Sequence, residues 1–208
     1  MIAEPDVTLT DWALALEAGM LAVLGGRAAM PRAWVMFFGS IAAAAFLGGI
    51  THGFFAEGRG VAAAVLWRTT LLALGMTSVA AVTAGAQALR PTGNARPVCQ
   101  SAVVAFVVYT GVVLFLSDAF VVAVVAYVPA TVFLLVVFVV VQRRMPSRAP
   151  LAGAAGIGVL WLGSWVQWRG VALPALGLSP NALYHVIEMI AVPLIYGGAR
   201  GLGGPRRG

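Results

Sequence analysis

Apolar residues fill this chain in long unbroken runs, and polar residues collect between them. Seven runs stand out, at roughly residues 9–26, 33–56, 60–89, 99–117, 119–142, 150–168 and 181–198. Each approaches or exceeds the ~20 residues that an α-helix needs to cross ~30 Å of hydrocarbon. The third is long enough to tilt or project beyond the bilayer. Together they predict an all-α, seven-transmembrane helix bundle occupying residues 1–208 as a single domain. They leave no room for a soluble domain.

Local sequence marks the ends. Thr8 and Asp11 are spaced like a capping box at the first helix. Ser179-Pro180 supplies an N-cap and an N1 proline for the seventh, and Gly197-Gly198 is placed to end it. Asp118, in the short turn before the fifth helix, reads as its N-cap. Trp12, Trp34, Trp67 and Trp168 fall where interfacial aromatic belts are expected. Small residues crowd the second, third and sixth helices, which predicts close helix packing. The apolar connection at 170–180 reads as a lid lying on the bundle.

Composition agrees with a membrane protein. Of 208 residues 61% are hydrophobic and 10% charged, and the mean hydropathy is +0.96. The net charge of +6 comes entirely from thirteen arginines, because the chain has no lysine. Ten of them sit in alternate connections and the tail (Arg27, Arg32, Arg90, Arg96, Arg143, Arg144, Arg148, Arg200, Arg206 and Arg207). Only Arg59 and Arg169 lie in the opposite loops, with Arg68 inside the third helix. By the positive-inside rule the N-terminus is outside and the C-terminus cytoplasmic, in a multi-pass protein of the cell's inner (plasma) membrane. Arginines dispersed over four short connections do not make a nucleic-acid surface, so membrane lipids are the expected surroundings. The acidic start, with Glu4 and Asp6, lacks the basic region of a signal peptide. A lone Cys99 excludes an intramolecular disulfide.

Polar residues inside the runs are candidates for function, because ionisable groups in hydrocarbon are costly. His52 ends the second helix. His185 lies about 7–8 Å below the start of the seventh, and Glu188 about 12 Å. His185 and Glu188 are three apart and share a helix face. Two imidazoles and a carboxylate can hold a catalytic metal with an open position for water, so His52, His185 and Glu188 are the candidate metal ligands, with zinc the candidate ion. The competing reading pairs Glu188 with Arg68 and leaves the histidines as hydrogen-bonded helix-end residues. Arg68 is expected inside the bundle, paired with Glu188 or Glu17 or clamping a charged head group. Asp11 caps the first helix or orients a histidine. All three ligands are expected in one pocket between the second, third and seventh helices.

Seven helices, a histidine closing the second and a histidine near the start of the seventh together resemble the superfamily of alkaline ceramidases and progestin and adipoQ receptors, known as CREST. The resemblance implies zinc held by His52 and His185. It also carries departures: Met189 stands where a second helix-seven histidine would be, Gly48 where a serine would be, and the third helix has no aspartate. On this resemblance the expected activity is metal-dependent hydrolysis of a lipid or amide from the outer leaflet, with Glu188, Asp11 and Arg68 in catalysis. The alternative is a non-enzymatic seven-helix protein that binds a lipid or small molecule, senses, or serves a membrane complex. A microbial rhodopsin is disfavoured, because helix seven lacks the lysine that a retinal Schiff base needs and the chain has none.

Overall fold

The computed structural model describes residues 2–90 and 93–203. Arg206 and Arg207 lie outside the described residues. Seven helices run α1 (Pro5–Arg27), α2 (Arg32–Phe54), α3 (Gly60–Leu89), α4 (Arg96–Phe115), α5 (Phe120–Arg144), α6 (Arg148–Trp168) and α7 (Pro180–Gly203). Each is long and apolar enough to span a membrane, which makes this a multi-pass membrane protein.

The helices form a ring of six. α1 packs on α2, α2 on α3, α3 on α5, α5 on α6, α6 on α7, and α7 closes onto α1. α4 stays outside, against α3, and buries only Tyr109 and Val113. The two ends of the ring differ in chemistry. At the end where α1, α3, α5 and α7 finish, Trp34, Phe37, Phe38 and Phe138 are fully buried and pack ring against ring, edge-on and stacked. At the other end, where α1 and α7 begin and α2 finishes, the polar residues gather.

α1 shows why. Its buried residues include Val7, Asp11, Leu14, Ala18, Leu21 and Gly25, a stripe that repeats every three or four residues and faces the ring. Asp11 occupies one position of that stripe, so the helix period alone drives a carboxylate inward. Buried polar contacts also tie neighbouring helices: Ser40 Oγ meets Thr77 Oγ1 at 2.9 Å, Trp161 Nε1 donates to Thr131 Oγ1 at 3.1 Å, and the Tyr109 hydroxyl donates to the Leu71 carbonyl at 2.7 Å. Such bonds stabilise helix pairs where apolar contact with lipid would serve as well as contact with protein.

Several local expectations need correction. α1 starts at Pro5, with Glu4 at its N-cap, so Thr8 is a turn inside and returns its hydroxyl to the Glu4 carbonyl (2.7 Å). Ala119, not Asp118, is the N-cap of α5. α7 runs through Gly197-Gly198, because glycines inside a packed helix do not by themselves end it. Trp34 is 1% exposed and belongs to the core, not to an interfacial belt. The 170–180 connection folds on itself through the Leu173–Leu178 bridge and a turn at Pro174–Leu176. Leu176 is 71% exposed, so the segment does not lie on the bundle as a lid. Ser179, by contrast, does cap α7, accepting the Ala182 N–H at 3.3 Å.

Candidate functional site

The polar end is built by α1, α2 and α7, with the last turn of α6 beside them. Pro5 at the start of α1 and Pro180 at the start of α7 fix where these helices begin. The chain before α1 is tied down, since the Ala3 N–H donates to the Gly53 carbonyl at 3.0 Å. The Ser179 N–H donates to Asp6 Oδ2 at 2.9 Å, which joins the starts of α1 and α7.

Both histidines are held by acids from the start of the chain. His52 Nδ1 lies 2.6 Å from Glu4 Oε2. Asn181 accepts from Gln167 Nε2 at 2.6 Å and so turns its own Nδ2 toward His52 Nε2, at 3.4 Å. Glu4 thus meets one ring nitrogen of His52 and Asn181 the other. His185 sits one turn beyond Asn181 on α7. Its Nε2 is 3.3 Å from Asp11 Oδ1, and its Nδ1 is 3.2 Å from Thr10 Oγ1. The first pair is partly open to the surface, with side-chain exposures of 26% and 45%; the second is closed off, at 9% and 6%.

Asp11 fits tightly. Oδ2 is buried with no hydrogen-bond partner. Opposite it lies Gly48, where even a β-carbon would stand 3.2 Å from that oxygen. Glycine is therefore what lets α2 come down over the carboxylate.

The other expected site residues have other partners. Glu188 accepts from the Tyr184 hydroxyl at 2.6 Å, four residues back on its own helix. Arg68 does not pair with Glu188 or Glu17. It bonds Asp118 Oδ2 at 3.1 Å across the α4–α5 turn, with 42% of its side chain exposed, so it faces the rim rather than the ring interior. Trp67 donates to the Asp118 carbonyl at 2.7 Å and braces the same turn. The expected pocket between α2, α3 and α7 is instead an α1–α2–α7 site, because α1 packs between α2 and α7.

The resemblance to zinc proteins can be tested on the donors. All four ring nitrogens of His52 and His185 already face a partner, and Glu188 faces Tyr184. Among the described residues no three His, Cys, Asp or Glu side chains are grouped to hold a metal ion. In this arrangement the donor set does not fit a shared zinc.

Above the buried pair opens a cavity of about 490 Å³. Glu4, Asp6, His52, Gln167, Ser179 and Asn181 supply its polar wall, with Val7 and Pro180 adding apolar surface. Of these, only His52 stands out from the sequence alone. Glu4 and Asp6 read as an acidic start and Asn181 as a helix-start residue, and nothing in the sequence marks Gln167. The available signal was indirect: Asn181 and His185 are four apart, as are Tyr184 and Glu188, so each pair shares a face.

Residues 7–203 match a family of unknown function, DUF6962, and the chain belongs to that family. No curated protein and no solved structure matches it.

Proposed function

We propose that this membrane protein binds a small polar molecule or lipid head group in the mouth between α1, α2, α6 and α7, without catalysis by a metal. The observation that carries this reading is the cavity itself. It is an open recess of about 490 Å³, and its wall mixes a few fixed polar groups with apolar surface. The hydrogen bonds that join its wall pre-position those groups, which lowers the ordering cost of binding. The buried Asp11–His185 pair lies one helical turn below the wall residues Val7 and Asn181.

The mouth is proposed to face the outside of the plasma membrane, with the C-terminus cytoplasmic. The arginines support this: ten of thirteen belong to the opposite side. The hydrolase reading, with zinc on His52, His185 and Glu188, draws support from the CREST resemblance. It requires all three side chains to leave their present partners and converge.

A panel of small polar molecules and lipids, read by thermal unfolding of the purified chain, tests the binding reading. Ligands that raise the midpoint of the wild type should fail with Gln167→Trp, whose bulk fills the cavity. A panel with no stabilising member, or one that stabilises both chains equally, would overturn it.

A further inference from the structure

Resting on the reading of the mouth as a binding site, we infer that its ligand carries a primary ammonium group, seated against the Glu4 and Asp6 carboxylates. The argument begins with charge. The chain has thirteen arginines and only seven acidic residues. Yet two of those acids line this one cavity, and no arginine among the described residues does. His52 does not reverse the balance, since one imidazole stands against two carboxylates. The mouth is therefore a negatively charged recess in a positively charged protein, and low-dielectric walls concentrate such a field.

The hydrogen bonds narrow the class further. Gln167, Asn181 and His52 spend their facing groups on one another. Asp6 takes the Ser179 N–H. Glu4 is an open acceptor, at 45% side-chain exposure, with one oxygen on His52. An anion would meet two carboxylates. A neutral hydroxyl would gain little over water. A primary ammonium brings three donors and a charge, and carboxylates are its strongest acceptors. Val7 and Pro180 offer apolar surface for the carbon next to the nitrogen. Two sources supply this chemistry at the end of a membrane span: the head group of an amine-bearing phospholipid, or a soluble amine.

The test uses the whole purified chain and propylammonium, with propanol and propionate as neutral and anionic matches. Propylammonium should raise the unfolding midpoint, by about 5–10 °C at a hundredfold excess over its dissociation constant. Propanol and propionate should not. Glu4→Gln, which keeps a partner for His52, should weaken propylammonium about tenfold or more while leaving the unliganded midpoint near wild type. Asp6→Asn serves as the second variant and should weaken it in the same sense. Repeating the titration in phosphatidylethanolamine and phosphatidylcholine nanodiscs separates the sources. Competition only by the former assigns the head group; equal binding in both assigns a soluble amine. If propanol or propionate binds as well as propylammonium, the mouth still binds but the ammonium inference fails. If Gln167→Trp abolishes none of the binding seen, the site reading fails with it.

Discussion

At the scale of single residues, the two histidine–acid pairs have the same chemistry and different depths, and depth sets their energetic weight. Asp11 and His185 are almost sealed from the surface, so removing one strands the other. A stranded buried polar group costs about 1–3 kcal/mol, more when charged. His185→Ala should therefore lower unfolding stability by at least about 1–3 kcal/mol. Glu4→Gln, at the open mouth, should cost less than about 1 kcal/mol. Denaturant titrations of the two variants check the order, and equal losses would refute it. The sequence points to His185 plainly, since a histidine in an apolar run is conspicuous. It hides the role of Asp11, which is equally consistent with a helix cap. Only the apolar repeat of Val7, Leu14 and Ala18, with Asp11 in phase, reveals that the carboxylate points inward. Arg68 is misplaced for the opposite reason: its helix is long, and its side chain escapes to Asp118 at the rim, a partner that no spacing rule indicates.

Among the elements, close helix approach depends on glycine at particular points. A β-carbon at Gly156 of α6 would stand 2.8 Å from the Ala191 carbonyl oxygen and 2.9 Å from the Ile195 nitrogen of α7. Both are backbone atoms and cannot rotate away. Gly156→Ala should push α6 from α7 and cost about 1–3 kcal/mol, the usual price of overpacking. Gly158→Ala, with open space around it, is the matched control and should be neutral or slightly stabilising. A neutral Gly156→Ala would show that the two helices can separate freely. Helix existence and number are legible in the sequence, because seven apolar runs can cross a bilayer in few other ways. Helix adjacency is not. Chain order places α4 beside α5, yet α4 rests on α3 outside the ring, and α1 comes between α2 and α7. These neighbours follow from how small and large faces fit together, which the apolar pattern alone does not encode.

For the whole molecule, orientation and chemistry are linked. If the arginine-rich end is cytoplasmic, the mouth opens to the exterior, and a C-terminal alkaline phosphatase fusion should be inactive while a cytoplasmic reporter at the same place is active. The reverse result would turn the mouth inward. The division of the ring into an aromatic half and a polar half also explains why the polar mouth opens at the end it does: Trp34, Phe37, Phe38 and Phe138 fill the other end. The central claim is that His52 and His185 are held by Glu4 and Asp11, not by a shared metal. Elemental analysis of the protein purified without chelators and then equilibrated with zinc tests it most directly. The account predicts far less than one tightly bound zinc per chain, unchanged by His52→Ala. One zinc per chain, lost on His52→Ala and on His185→Ala, would contradict it and restore the metal hydrolase.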